Sequence, residues 1–310
     1  MSTSAFFRGA VLTLLTFAFA GAPAFAAAET HDVAWWRSIK AHGFEVPEGQ
    51  AQGRLLLEVC GLLDSPDPEV RDGLGYEIAA AWIVGKRTVS NEELRPVIAL
   101  LERNLSTGVG ENGTGTVLGR SFSALVLSVV AARDNTAPFL TREEFDALLA
   151  AALDYLAREK DERGFVPGTG WHHSVAHTAD LLKFLGRNPK LQTADQRRIL
   201  AGISLKTGGS KIFWTWGEDD RLAAAVLSLL RRDDFDTAAF DGWSDRIVAV
   251  WQDTMQVIQR DPSALDPARY AAAKNGRDLL ASLYVQVSTA SPFANADRAR
   301  ATLATALKRM

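Results

Sequence analysis

Cysteine is almost absent from this sequence, and neither sign of charge dominates it. Cys60 is the only cysteine in 310 residues, which excludes an intramolecular disulfide and a metal site made of paired cysteines. It follows the apolar run Leu55–Leu57, where we expect a small buried hydrophobic side chain instead of a nucleophile. The formal net charge of −3 at pH 7 argues against nucleic acid as a partner and predicts little beyond solubility.

Motifs that identify common enzyme classes are also missing. The sequence has no Gly-x-Ser-x-Gly elbow, no phosphate-binding P-loop and no calcium-binding loop. The segment Gly108–Gly115 contains the letters G-x-G-x-x-G, but it follows a helical pattern instead of a strand, which excludes a dinucleotide-binding fold. Its backbone amides are expected either to hold an anion near Arg120 or to form a flexible connection between two helices.

Alternating strand patterns are lacking, whereas helical patterns fill the chain. After Asp32 nearly every segment repeats apolar residues at spacings of three and four, and Ser90, Thr141 and Thr193 have capping character. The loops are short and no long linker interrupts them. The sequence therefore predicts an all-α fold without a sheet, in which antiparallel helix pairs stack as an α-solenoid or α/α array of the HEAT-like type. One domain over residues 27–310 is expected.

An apolar run at the N-terminus indicates the compartment. Arg8 precedes an apolar stretch over residues 10–20 that is short for a membrane span, and Ala24 and Ala26 fit an A-x-A cleavage site. This pattern predicts a signal peptide over residues 1–26, with cleavage two residues later as a near alternative. We therefore expect export to the periplasm or the extracellular space, with no membrane attachment of the mature chain.

Three of the five histidines fall within Trp171–Asp180, where we expect any chemistry of the protein to lie. His173, His177 and Asp180 recur at spacings that share one helical face. Two imidazoles one turn apart are able to hold a divalent metal such as zinc. Asp180 lies roughly 10 Å along the helix axis from His173, so another helix must supply a further ligand. The candidates are Glu77, Glu218, Asp219 and Asp220.

Two interpretations without a metal stay open for the same residues. In the first, His173, His177 and Asp180 are catalytic, and Asp180 orients His177 for acid/base work from one turn below. In the second, the histidines form structural hydrogen bonds beside Trp171, and Asp180 pairs with an arginine. Arg120 has a similar ambiguity, since an arginine in an apolar helix either locks two helices together or binds a ligand.

An aromatic loop precedes the acidic start of a later helix. Trp214 and Trp216 lie just before Glu218 and Asp219, whose carboxylates the helix dipole stabilises in a first turn. The tryptophans either fasten the loop to the core or form the wall of a pocket that stacks on a sugar or another flat ligand. All four residues are therefore candidates for ligand binding.

Several separated motifs in a fixed order carry a resemblance to a known family. They run from Asp67-Pro68-Glu69 to Trp82-Ile83, then Arg120-Ser121-Phe122, then Gly170-Trp171 and His173-x-x-x-His177-x-x-Asp180, then Gly217-Glu218-Asp219-Asp220-Arg221. Together they resemble the bacterial family known as domain of unknown function 2785, over about residues 66–232. Thr178 departs from the glycine that is more usual in that pattern. The resemblance implies a helical fold and no reaction, since the family has no established activity.

Two functions from different classes fit these observations. The first is an exported helical-array protein that binds a small molecule or a partner in a concave polar pocket. Its expected lining is His173, His177, Asp180, Glu77, Arg120, Trp171, Trp214, Trp216, Glu218 and Asp219. The second is a metal-dependent hydrolase in which His173 and His177 hold the ion and one carboxylate activates water. A purely structural polar cluster is the remaining alternative.

Overall fold

The computed structural model of the protein describes residues 30–310, so the predicted signal peptide over residues 1–26 lies outside the described residues. The described part is mostly helical, as predicted. Its α-helices are α1 (Val33–Ala41), α2 (Gln52–Cys60), α3 (Glu77–Ala80), α4 (Asn91–Ser106), α5 (Val117–Thr136), α6 (Arg142–Arg158), α7 (Ser174–Arg187), α8 (Thr193–Gly209), α9 (Glu218–Leu230), α10 (Thr237–Arg260), α11 (Pro267–Thr289) and α12 (Ala296–Lys308). Short 3₁₀ turns occur at Gly61–Asp64 and Pro262–Ala264, and π-helical segments at Glu69–Tyr76 and Ala81–Gly85.

Capping side chains set the starts of the central helices. Complete capping boxes begin α4 at Ser90 and α6 at Thr141, as the sequence predicts. α8 begins one residue earlier than expected, because Gln192 instead of Thr193 is the cap and Asp195 accepts its backbone N–H. A carboxylate in the first turn also interacts favourably with the helix dipole, which explains why Asp195 takes this position.

Helices two positions apart along the chain pack against each other. α5, α7, α9 and α11 contact one another in succession, and so do α4, α6, α8, α10 and α12. α5 is buried on nearly all sides, as expected for a helix whose apolar residues do not form a single stripe. The predicted HEAT-like array stays a prediction. Within residues 30–310 no helix is both long and apolar enough to cross a bilayer.

A small antiparallel sheet contradicts the prediction of a fold without strands. β1 (Phe165–Val166) pairs with β2 (Gly170–Trp171), so that Phe165 lies opposite Trp171. Gly168 and Gly170 both have positive φ, which allows the chain to reverse within a few residues. Strands of two residues are too short to show the alternation that marks a longer strand, and for this reason the sequence pattern missed them. The hairpin connects α6 to α7 and carries two large aromatic side chains.

Candidate functional site

The histidine segment enters α7 through an unusual backbone conformation. His173 is the N-cap of α7 with φ 48° and ψ 34°, so it precedes the helix and lies in the left-handed region. The expected common helical face therefore holds for His177 and Asp180 but not for His173, because this backbone turns the chain from the hairpin into the helix. The His173 and His177 rings are nevertheless close, with centroids 5.5 Å apart.

His173 lies between an indole ring and a carboxylate. Its imidazole stacks on Trp171, with ring centroids 4.3 Å apart and an interplanar angle of 4°. Its Nδ1 lies 3.8 Å from Oε1 of Glu218, which is too long for a hydrogen bond. That buried nitrogen has no hydrogen-bond partner within residues 30–310. Buried polar atoms are normally paired, so this nitrogen is an exception among the described residues.

Glu218 is a buried carboxylate at the first position of α9. Its Oε2 accepts the backbone N–H of Trp216 at 2.9 Å. Burial alone would raise the pKa of this carboxyl, but the interactions with His173 and with that N–H lower the pKa below its ordinary value. Glu218 is therefore ionised at neutral pH. Its carboxylate accepts hydrogen bonds on the side of the site where His173 lies.

Hydrogen bonding fixes the tautomer of His177. The Ser121 hydroxyl has one proton, which it donates to the backbone carbonyl of His172. Its 2.9 Å contact with Nδ1 of His177 therefore has the imidazole as donor, which leaves Nε2 as an acceptor. No described residue hydrogen-bonds this Nε2. Burial, together with the charges of His173 and Arg221, holds the pKa of His177 well below its usual value, so the ring is neutral at pH 7.

A π-helical segment packs beside this pair of histidines. Arg71 is fully buried on it, donates to the carbonyls of Ser65 and Thr169, and lies over the Phe122 ring at 4.7 Å. Its Nε lies 2.7 Å from Asp72. Burial raises the pKa of Asp72 despite the attraction of Arg71. Because π-helical turns are often found at functional sites, this segment strengthens the case that the His173 region is one.

Asp180 lies in an ion-pair network at the next turn of α7. Its carboxylate is paired with Lys183 at 2.6 Å and with Arg221 of α9. The pKa of the neighbouring Tyr76 is raised, first by burial and then by the charge of Asp180. Asp180 therefore joins α7 to α9, which agrees with the interpretation in which it pairs with an arginine. Arg221 also brings a positive charge close to His177.

Three exposed aromatic rings form a group that includes Trp171, the stacking partner of His173. Phe165, Trp171 and Trp216 contact one another, with centroid separations of 5.0 to 5.8 Å. They are 41%, 37% and 49% exposed, respectively. Trp216 lies directly over Gly164, where a Cβ would be only 2.2 Å from its Cδ1. We call Phe165, Trp171 and Trp216 the aromatic cluster. It forms an apolar surface beside His173 and Glu218.

Comparison with known proteins supports the family expectation. Residues 105–285 match the model of the family described as "Protein of unknown function (DUF2785)", and this match covers more than half of the 310 residues. The chain belongs to the DUF2785 family. The matched segment begins and ends later than the range of about 66–232 expected from the motifs. No curated protein and no solved structure matches the chain.

Within the DUF2785 segment, the two tryptophans of the aromatic loop have different positions. Trp214 is buried, and its indole N–H donates to Glu162 at 3.0 Å. Trp216 instead belongs to the exposed aromatic cluster. The expected role of fastening the loop to the core therefore fits Trp214, and the role of Trp216 in ligand binding stays a prediction. Burial raises the pKa of Asp219 first, and the negative charges of Asp220 and Asp278 raise it further.

Two predicted ligand-binding residues make ion pairs away from His173. Arg120 is buried and binds Glu159, with Nε and Oε2 2.5 Å apart. It also donates to the carbonyl of Thr107, so its donors are used within the protein. Glu77, outside the DUF2785 segment, pairs with Lys40 of α1 at 2.8 Å. Among the described residues, neither forms a hydrogen bond or an ion pair with His173 or His177.

Sequence reasoning did not select three residues that shape the site. Phe165 and Arg221 lie in the DUF2785 segment, and Asp72 precedes it. Asp72 and Arg221 lie within the motifs that carry the family resemblance. Those motifs could therefore have pointed to both residues. Phe165 had no such signal, because its role depends on the pairing of β1 with β2.

Metal ligands do not converge at this position. Within residues 30–310, no group of three or more His, Cys, Asp or Glu side chains is arranged to hold a metal ion. A stable zinc site takes three or four protein ligands, whereas His173 and His177 would supply two.

Proposed function

We propose that this protein binds a carbohydrate at the surface formed by the aromatic cluster and His173. The observation that carries the proposal is the stack of Trp171 on His173, because it fixes an exposed indole beside buried polar atoms. Ligand sites commonly combine flat aromatic walls with a few convergent polar groups. A sugar ring has both an apolar face and hydroxyl groups, and it matches this combination.

The spacing of the rings favours stacking over the capture of a cation. A cation bound by several rings lies within about 6 Å of each centroid and occupies the space between their faces. In the aromatic cluster the centroids are only 5.0 to 5.8 Å apart, so the rings fill that space themselves. A flat ligand on the outer surface fits better than an enclosed quaternary ammonium group.

The polar groups next to the cluster favour hydroxyl donors. Glu218 is ionised and accepts hydrogen bonds only, and the neutral His177 ring has an acceptor at Nε2. The unpartnered Nδ1 of His173 adds one more polar position. Sugar hydroxyl groups both donate and accept, so they are able to satisfy this mixed set.

The metal-dependent hydrolase has less support than ligand binding. It needs at least one carboxylate close to both His173 and His177, and Glu218 approaches His173 to 3.8 Å without completing a three-ligand group. Elemental analysis of the chelator-dialysed protein tests the alternative. We expect no stoichiometric zinc. Stoichiometric metal that is lost from H173A/H177A would support the hydrolase instead.

Titration calorimetry with soluble cello-, malto-, xylo- and chito-oligosaccharides tests the proposal. We expect one of these series to bind, and we expect W171A and W216A to weaken that binding by about tenfold or more, since each removes a stacking surface. F213A is the matched control, because Phe213 is an exposed aromatic residue that packs against Tyr270 outside the cluster. H173A/H177A should lose binding and retain cooperative unfolding. Absence of binding to all four series would contradict the proposal.

Two features of the wider molecule complete the proposal. We infer that the protein is exported after removal of residues 1–26, and N-terminal sequencing of the mature chain tests this. We also infer that the helices form a HEAT-like array, which the succession of contacts between alternate helices supports. Such arrays present extended surfaces to ligands. The hairpin that carries Phe165 and Trp171 lies between α6 and α7, and Trp216 precedes α9.

A further inference from the structure

A cavity in the described part of the protein is lined by residues of α6 and α8, by the segments that follow these helices and by Asn112, and it includes no residue of the aromatic cluster. Its volume is about 470 Å³, within the range of roughly 300–1,000 Å³ that is usual for small-molecule sites. We propose that this cavity binds a small amphipathic monoanion, such as a medium-chain carboxylate. Leu205 and Ile212 provide its apolar part, and Lys160 and Lys211 provide unpaired positive charge.

The apolar part of the cavity is unusually exposed. Leu205 is 72% exposed and Ile212 is 43% exposed, and both line the same cavity. Large aliphatic side chains are costly to leave in water, and a ligand chain that covers them would remove this area from solvent. Ala157 of α6 adds to the apolar lining. These side chains fit the hydrocarbon part of an amphiphile.

The charges of the cavity leave an excess of positive charge. Glu159 is paired with Arg120, and Glu162 with the buried Lys206 at 2.6 Å. Lys160 and Lys211 are exposed and have no ion-pair partner within residues 30–310. The C-terminal ends of α6 and α8 lie nearby and act as about half a negative charge each. With the two lysines and the two helix ends counted together, the cavity retains about one positive charge. This charge favours a monoanion over a dianion or a cation.

Lys206 makes this a formed site instead of a surface groove. Its ammonium is buried at the base of the cavity, donates to the carbonyl of Glu159 and pairs with Glu162. An ammonium has three N–H donors, so one remains beyond these two contacts. Glu162 is in turn held by Ser210 and by the indole N–H of Trp214. A carboxylate that enters the cavity therefore meets a fixed polar floor.

Calorimetric titration of the full chain with decanoate tests the proposal, with decanol as the uncharged analogue. We expect decanoate to bind with one-to-one stoichiometry and at least tenfold more tightly than decanol. K160Q/K211Q should remove most of this difference, because it removes the unpaired charges. L205S should weaken both ligands. K86Q/K308Q is the matched control, since both lysines are exposed and neither lines the cavity, and it should bind as the unmodified protein does.

Several outcomes would overturn the proposal. One is the absence of decanoate binding, and another is equal affinity for decanoate and decanol. A third is an undiminished preference for decanoate in K160Q/K211Q. These substitutions are at exposed positions, so circular dichroism should show unchanged folding, and loss of binding then reports on the cavity itself. Binding of oligosaccharides at the aromatic cluster should be the same in all of these variants, which separates the two sites.

Discussion

The indole of Trp171 lies parallel to the imidazole of His173, with an interplanar angle of 4° and centroids 4.3 Å apart. The pair joins β2 to the start of α7, so it fixes both the exposed aromatic surface and the buried polar atoms beneath it. Because His173 is in the left-handed region, the imidazole position depends on a backbone conformation that few residues adopt without strain. Substitutions at this position must therefore separate backbone effects from side-chain effects.

H173N makes this separation, because asparagine tolerates the left-handed region better than most residues. We expect a loss of about 0.5–1.5 kcal/mol in the free energy of unfolding, the usual contribution of a stacked aromatic pair. Urea denaturation of H173N, W171A and the double variant measures the coupling between the two rings. A coupling near zero would mean that the stack contributes nothing to stability. H173A should be less stable than H173N, because alanine adds backbone strain.

Gly164 determines where the Trp216 indole lies. In G164A the new Cβ would stand 2.2 Å from Cδ1 of Trp216, so the indole has to move. We expect a changed near-ultraviolet circular dichroism spectrum and a loss of oligosaccharide affinity similar to that of W216A. G61A is the matched control, because Gly61 has φ −68° and a Cβ there would meet no atom within 4 Å. An unchanged spectrum in G164A would contradict the placement of Trp216.

The general fold was predictable because its determinants are local. Helical periodicity and the capping residues Ser90 and Thr141 depend on neighbours in the sequence, and the helices follow them. The hairpin was not predictable from alternation, since two-residue strands contain too few residues to alternate. The positive φ of Gly168 and Gly170 is a property of the folded backbone that glycine permits but does not require.

The candidate site was only partly predictable for a related reason. His173 and Trp171 were selected from their place in a histidine-rich segment, and they do lie together. Arg120 and Glu77 were selected for the same site, but their partners, Glu159 and Lys40, lie about 40 residues away in sequence. Periodicity shows which residues share a helix and gives no information on which carboxylate a buried arginine meets in the folded chain.

His172 should make the stability of the protein depend on pH. Burial first, and then the charge of Arg163, lower the pKa of this histidine from 6.5 to about 4. Above pH 6.5 it is neutral in both the folded and the unfolded chain, so it has no effect on stability. Between pH 6.5 and about 4 only the unfolded chain gains the proton, so the free energy of unfolding falls as the pH falls.

H172Q isolates this contribution, because glutamine retains a polar group near Thr169, the hydrogen-bond partner of the His172 Nε2. The stability lost by the unmodified protein between pH 6.5 and 4 should exceed that lost by H172Q by about 3 kcal/mol. Urea denaturation at several pH values measures the difference. Parallel pH profiles for the two proteins would show that His172 titrates alike in the folded and unfolded chains.

The buried pair of Arg120 and Glu159 should behave differently from a nearby exposed pair. R120M leaves Glu159 buried without its main partner, which should cost about 3–5 kcal/mol of stability. Part of this loss should return in R120M/E159L, because no uncompensated charge then remains. R158A provides the comparison, since Arg158 and Asp154 form an exposed pair and such pairs contribute only about 0–1 kcal/mol. If R120M lost no more stability in urea denaturation than R158A, Arg120 would not be a structural residue, and its assignment to ligand binding would regain support.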